Sequence, residues 1–352
     1  MKILQLIDSL QAGGAERMAV HIANSLNPLV EGSYLCVSRK EGPLKASLNK
    51  EVGYLFLNKQ STIDRKAFRL LRTFLQKEKI THIHAHGTSF FLATVMKWRL
   101  PHLKLVYHEH HGKRISGTSK DYKALTFCSR FFDSVITVNE ALCVWCKNQL
   151  HCKEVYHIPN FIPETSFLKK TDQEKPFIVH LANLRPVKDQ MTLLKAFSRI
   201  HDLYPEWNLR FVGKEEDLSY LETLKDFVNE NDIKSKVHFM GVQQNIFPIL
   251  QESSIGVLSS TSEGLPMALL EYGAAGLPVI ATDVGYCREV VSNFGKIVPP
   301  NSPLMFAKAL QEFMGSPEER KKASHDYTKH IFNTYSSKKI VTHFIEVYKK
   351  IS

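Results

Sequence analysis

Two glutamates, Glu263 and Glu271, stand eight positions apart in TSEGLPMALLEYGAAG. Pro266 between them suits the first position of a helix, because the N–H it lacks would be unpaired there. Gly276 suits the left-handed residue that ends one. The free amides of Gly264, Leu265, Met267 and Ala268 would then cluster at the positive end of the helix dipole. A phosphate or an electron-rich sugar oxygen is stabilised there. Glu271 falls about 7.5 Å further down the axis at 1.5 Å per residue, and Glu263 lies on the other side of the helix tip. So separated, the two carboxylates cannot share a proton, but each can accept hydrogen bonds from a different hydroxyl-bearing group. A nucleotide sugar has that pattern: ribose, diphosphate, hexose. Taken alone, the same spacing is equally a loop acid and a solvated helix acid.

Cations stand nearby in pattern if not in sequence. LANLRPVKDQ follows the strand-like FIVHLA and leads into a helical stretch. Arg185 offers a planar fork for phosphate oxygens and Lys188 a point charge. Together they could neutralise a diphosphate leaving group without a metal, although surface cations are the simpler reading of the pair in isolation. Gly13 and Gly14 in DSLQAGGAER let backbone approach a ligand at another helix start. The run is not G-x-G-x-x-G, which weakens a dinucleotide reading and disfavours a dehydrogenase. HIHAHG and VYHEHHGK place His82, His84 and His86 on one strand face and His108 and His110 on one face of another. His clusters bind metals, but no carboxylate pattern accompanies the first of these. We expect sugar or acceptor contacts from the strand tips at His86 and His108, and core positions for His82 and His84.

Short apolar strands alternate with helical segments from end to end, which implies parallel sheets with right-handed crossovers. KILQLI, SYLCVS, GYLFL, HIHAH, KLVYHE and SVITVN read as strands in the first half, and FIVHLA, NLRFVG, KVHFMG, IGVLSS and PVIATD in the second. NFIPETSFLKKTDQEKP has no period and reads as a linker near residues 160–175. The expected class is α/β, with two Rossmann-like domains at 1–165 and 166–335. Their parallel sheets should face a central cleft with their carboxyl ends.

The 352 residues carry a net charge of +11, unevenly. Residues 1–165 contain 23 Lys+Arg against 13 Asp+Glu, and residues 166–352 contain 23 against 22. A basic half beside a neutral one implies an anionic partner for the first half. No nucleic-acid module is present, which leaves an anionic membrane surface or a phosphate-bearing acceptor. The amphipathic stretches KRISGTSKDYKALTFCSRFF and DRKAFRLLRTFLQKEK could each rest on such a surface, or be solvated faces over a core stripe. MKILQLIDSL is broken at Asp8 and is not a signal peptide, so a cytoplasmic protein with reduced thiols is expected. Cys143, Cys146, His151, Cys152 and His157 have spacings reminiscent of a zinc site. NEALCVWCKNQL is more simply an amphipathic helix with small apolar Cys.

GGAER, IHAHG, LRPVKDQ and EGLPMALLEYGAAGLPVIATDVG, in that order and over nearly the whole chain, resemble the retaining GT-B glycosyltransferases of family 4. The resemblance implies a hexose or N-acetylhexosamine moved from a nucleotide-diphosphate sugar, a UDP-sugar foremost, to a glycan or lipid-linked acceptor in cell-surface polysaccharide synthesis. It implies no cofactor and no metal. It puts the donor on the second domain and the acceptor on the first, and it returns the C-terminal helix, 336–352, to the first domain. Arg185 and Lys188 would hold the diphosphate and Glu271 the ribose. Glu263, Gly264, Leu265, Pro266 and Met267 would hold the hexose, and Val242 the base. Gly13 and Gly14 would approach the diphosphate-sugar, and His108 the reacting centre. Acceptor contacts would come from His86, His110, His111, Lys113 and Arg114. DVGYCRE departs from the family in having Tyr286 where a second Gly is common, which bears on sugar choice. A nucleotide-sugar epimerase and a non-catalytic sugar-nucleotide-binding protein share the fold and are the alternatives.

Overall fold

The computed structural model describes residues 1–110, 122–167 and 175–352. His111, Lys113 and Arg114, and most of the expected linker, lie outside these. The chain divides into two units, Met1–Phe161 with Ser337–Ser352, and Ile162–Ser336. At the division Ile162 N–H donates to Tyr335 O at 2.9 Å, so the outgoing and returning segments pair side by side.

The first unit is a parallel sheet of seven strands: β1 (Lys2–Ser9), β2 (Gly32–Lys40), β3 (Gly53–Phe56), β4 (His82–His86), β5 (Lys104–Glu109), β6 (Ser134–Thr137) and β7 (Val155–His157). Their order is β3-β2-β1-β4-β5-β6-β7. The second unit has six parallel strands: β8 (Phe177–Leu181), β9 (Asn208–Val212), β10 (Val237–Phe239), β11 (Ile255–Leu258), β12 (Val279–Thr282) and β13 (Lys296–Val298), in the order β10-β9-β8-β11-β12-β13. Both are doubly wound. The strand order reverses between β1 and β4 in one and between β8 and β11 in the other, and each reversal opens a crevice at the carboxyl strand ends.

Eleven of these strands coincide with the apolar stretches read from sequence. The two that do not, β7 and β13, are three-residue edge strands. Three residues alone are too few to show a period; β10, also three residues at a sheet edge, is marked only by the longer run KVHFMG around it.

The helix Ser337–Ile351 belongs to the first unit and buries Ile340, Val341, Phe344, Val347 and Tyr348 there. Its 3.6-residue apolar spacing gives one stripe, and that stripe covers the histidine face of β4 and β5. Phe344 lies 6.0 Å from the His84 ring and 5.9 Å from that of His108. The helix Glu140–Gln149 buries Cys143 and Cys146 in the core, and all six cysteines are free thiols.

Tyr272 shows how the second unit is tied together. It lies in the helix Met267–Ala274, and its hydroxyl accepts from Leu181 N–H at 2.7 Å and donates to Val257 O at 3.0 Å. One buried phenol thereby bridges the ends of β8 and β11, the two strands that bound the crevice.

Candidate active site

The crevice of the second unit brings Lys188 and Glu263 together from 75 residues apart. Lys188 Nζ lies 2.6 Å from Glu263 Oε1, with the two side chains only 16% and 8% exposed. The loop after β8 turns through a short 3-10 segment, Pro186–Lys188, and Asp189 takes a left-handed φ of 45° to start the next helix and cap it by accepting from Thr192 N–H. The loop after β11 is stitched to it. Thr261 N–H donates to Val187 O at 2.9 Å, and Ser259 Oγ donates to Lys188 O at 3.0 Å. Ser260 Oγ donates to the same Glu263 oxygen at 2.6 Å. A cation and a carboxylate are therefore held in near-contact at a strand-order reversal, where a diphosphate can compete for the cation.

Arg185 is placed differently. It is 44% exposed, 3.6 Å from Glu216, and can swing onto an anion at small cost. Buried His180, behind the pair, is held down at about 3 by desolvation and then by the Lys188 charge. The neutral ring meets Ser259 Oγ at 3.2 Å.

The helix that was expected to start at Pro266 starts one residue later. Pro266 is extended (φ −74°, ψ 119°) and is the cap, and the helix runs Met267–Ala274 with Gly276 at φ 74° beyond it. The free amides are therefore those of Met267 and the two residues that follow it. Among the described residues no side chain caps this end, so its first amides are the donors that a bound anion could satisfy. Glu271 is not a solvated helix acid: only 3% of it is exposed. Val242, the residue expected at the base, is 41% exposed and follows Gly241, whose φ of 61° turns the chain after β10.

Sequence reasoning missed two residues here. Ser260, which orients Glu263, carries no sequence signal. Gly285 has φ 54°, and a Cβ there would come 2.0 Å from Glu263 O. Tyr286 N–H donates to Gly264 O at 3.1 Å, so the Gly285-Tyr286 turn is the backstop of the Glu263 loop. Gly285→Ala should push that loop outward, at about 1–2 kcal/mol for the left-handed backbone alone. Titration calorimetry should show nucleotide-sugar affinity reduced at least about tenfold, which is about 1.4 kcal/mol. Unchanged affinity would remove this loop from the donor site.

In the first unit Gly13 caps the helix Gly14–Leu26 in extended conformation, just past β1 and beside the β1/β4 reversal. His82, His84, His86 and His108 are enclosed, each at most 2% exposed. His86 pairs in register with His108, and both its ring nitrogens are engaged, Nε2 with Gln5 at 2.8 Å and Nδ1 with His110 at 3.0 Å. His110 is half-buried just past the end of β5, with its ring centroid 4.0 Å from that of His108. His86 ends β4 but is buried, and His110, just past β5, is the half-buried ring of the group.

Away from these sites, Trp98 and Phe127 are each 51% exposed and pack with Phe131. Arg130 lies over Phe127 at 5.6 Å, and Arg99 and Lys123 are exposed nearby in the chain. Phe132, by contrast, is buried in the core. The helix Arg65–Lys77 buries Ala67, Phe68, Leu71 and Leu75 and exposes Arg65, Lys66, Arg69, Arg72 and Lys77. Among the described residues no helix is long and apolar enough to cross a membrane.

Residues 12–166 match Glycosyltransferase Family 4, and residues 162–330 match Glycosyl transferases group 1. The chain belongs to the family 4, group 1 glycosyltransferases. It is a transferase enzyme. A Haemophilus influenzae relative described as an uncharacterized glycosyltransferase is 25% identical over 283 residues, 77% of each chain. An Escherichia coli UDP-Gal:alpha-D-GlcNAc-diphosphoundecaprenol alpha-1,3-galactosyltransferase is 24% identical over 287 residues, 73% of each chain. The crystal structure of Anabaena Alr3699/HepE in complex with UDP and glucose superposes with a TM-score of 0.86 at 17% identity, over 99% of both chains. The fold of this glycosyltransferase is GT-B, two units of parallel sheet with surrounding helices.

Proposed function

We propose that this glycosyltransferase moves a sugar, with retention of anomeric configuration, from a nucleotide-diphosphate sugar, a UDP-sugar foremost, to a glycan or lipid-linked acceptor in cell-surface polysaccharide synthesis. The observation that carries the reading is the Lys188–Glu263 contact at the strand-order reversal of the second unit, beside an uncapped helix start. The diphosphate draws Lys188 toward itself and is met by Arg185 and the amides beginning at Met267. Freed in part from Lys188, Glu263 accepts hydrogen bonds from the donor hexose, and Glu271 from the ribose. These cations and amides stabilise the charge that develops on the departing diphosphate, so the leaving group needs no divalent ion. The acceptor hydroxyl attacks the anomeric carbon on the face the diphosphate leaves. A new C–O bond forms as the C–O bond to phosphate breaks, and the acceptor's proton passes to a diphosphate oxygen. On the first unit, the half-buried His110 just past β5 is offered to the acceptor. The names of the Escherichia coli and Anabaena proteins, a UDP-Gal transferase and a UDP complex, support a uridine donor.

Thermal shift against UDP-, GDP- and ADP-sugars in the presence of EDTA tests the donor site. One nucleotide class should raise Tm, and product analysis with an acceptor should then show the donor's anomeric configuration retained. No shift with any nucleotide would refute the donor reading, and an inverted product would refute retention. Donor conversion without acceptor would make the chain an epimerase.

An anionic bilayer is the surface we assign to the first unit. Trp98 and Phe127 supply interfacial aromatic rings, and Arg99, Lys123 and Arg130 contribute about 1 kcal/mol each near anionic lipid. Co-sedimentation should be stronger with phosphatidylglycerol-rich vesicles than with phosphatidylcholine vesicles, weaken with salt, and fall on Trp98→Ala. Binding indifferent to lipid charge would exclude this surface.

A further inference from the structure

We infer that the first unit holds a transition-metal ion, of zinc-like character, between β4, β5 and the C-terminal helix, with His84, His86 and His108 as ligands. One ring nitrogen from each of the three lies within 4.8 Å of the others. Strand geometry creates the cluster. His84 and His86 are two apart on β4 and share a face, and His108 is the in-register neighbour of His86 on β5. The rings pack face to face, with centroids 4.6 Å apart for His84 and His86 and 5.1 Å for His84 and His108.

The observation that points to a ligand is the state of the nitrogens. Among the described residues neither ring nitrogen of His108 has a hydrogen-bond partner, nor does His84 Nε2, and both side chains are fully buried. Buried polar groups are almost always paired, and an unpaired set calls for an ion or a water. Three imidazoles converging without a carboxylate fit a borderline cation, whereas Mg²⁺ or Ca²⁺ would want oxygen ligands.

The surroundings have the form of an outer shell. His84 Nδ1 lies 2.6 Å from Tyr348 Oη on the C-terminal helix, and His86 Nε2 lies 2.8 Å from Gln5 Oε1 on β1. With Nδ1–H of His84 donated to the tyrosine, its Nε2 presents a lone pair inward; with Nε2–H of His86 donated to the amide oxygen, its Nδ1 would exchange its contact with His110 for the ion. Metal-bound histidines are oriented in this way by their second nitrogen. A tetrahedral site with bonds of 2.0–2.1 Å puts ligand nitrogens about 3.4 Å apart, so the widest pair has to close by roughly 1.4 Å, and the near-parallel rings have to turn so that their in-plane lone pairs meet. His110, with Nε2 at 3.0 Å from His86 Nδ1, is the neighbour placed to complete the shell. The ion would be structural. It would clamp the C-terminal helix onto the sheet, whereas the diphosphate cations Arg185 and Lys188 belong to the other unit. The inference therefore does not depend on the donor reading.

The test is stoichiometry. The full chain is unfolded with EDTA, refolded with or without excess Zn²⁺, gel-filtered, and its bound metal measured by elemental mass spectrometry. Wild type should hold about one equivalent, and Co²⁺ in its place should give the visible bands of a tetrahedral site. His84→Gln should weaken binding at least about 100-fold, and Tyr348→Phe about 10- to 100-fold, since it removes only the orienting hydroxyl. Wild type that holds no metal and shows no gain in Tm with Zn²⁺ would overturn the inference. So would one equivalent retained unchanged in both His84→Gln and Tyr348→Phe, which would place the ion elsewhere. Far-UV circular dichroism verifies that each variant is folded.

Discussion

Lys188→Ala is expected to lower kcat by about 10²- to 10³-fold, the cost of removing one preorganised charge from a developing anion. The donor's KM should change much less, because the charge is needed most when the diphosphate departs. The truncation also strands a carboxylate. Glu263 is 8% exposed and would keep only Ser260 as a partner of those that meet it now, and an uncompensated buried charge destabilises by several kcal/mol. The double variant Lys188→Ala/Glu263→Gln separates the two effects. It should recover most of the lost Tm and none of the lost kcat. A folded Lys188→Ala enzyme with more than about a tenth of wild-type kcat would remove Lys188 from leaving-group stabilisation.

Glu271→Gln should raise the donor Kd by about 10- to 100-fold while leaving Tm nearly unchanged. The side chain is 3% exposed and glutamine has its shape, but a hydrogen bond to a charged acceptor contributes about 1.5–3 kcal/mol. Deoxyribose donors provide the decisive comparison. Wild type should bind the 2′,3′-dideoxy nucleotide sugar as poorly as Glu271→Gln binds the natural one. The variant should scarcely distinguish the two donors. If the variant discriminates against the deoxy donor as strongly as wild type does, Glu271 does not touch the ribose.

Most of the architecture was legible because periodicity is a local property. A strand of four or more apolar residues and a helix with a 3.6-residue stripe each carry their own signal over a few turns of chain, so eleven of thirteen strands and the helix after Glu263 could be read directly. The site motifs were legible for a related reason. In a doubly wound sheet the ligand edge is always the carboxyl ends of the strands, so Arg185, Lys188 and Glu263, each just past a strand, were bound to share that edge. The one-residue error at Pro266 came from treating its missing N–H as decisive. Its extended ψ of 119° makes it the cap instead.

What the sequence determined by itself, then, was the alternation of strands and helices, the loops that carry the cations and carboxylates, and the basic character of the first half. Which of those side chains meet was decided only by the tertiary structure, because contact between residues far apart in the chain leaves no local trace. The direct Lys188–Glu263 pair, the support of Ser260 beneath it and the Gly285 backstop behind it depend on how two loops pack. The burial of Glu271 depends on which face of its helix meets the sheet. The histidines are the clearest case. Alternation put them on common strand faces, but Tyr348, 264 residues from its partner His84, and Phe344 arrive on a helix from the far end of the chain. That helix turns what could have been a row of solvated imidazoles into an enclosed cluster, with buried nitrogens that have no partner among the described residues.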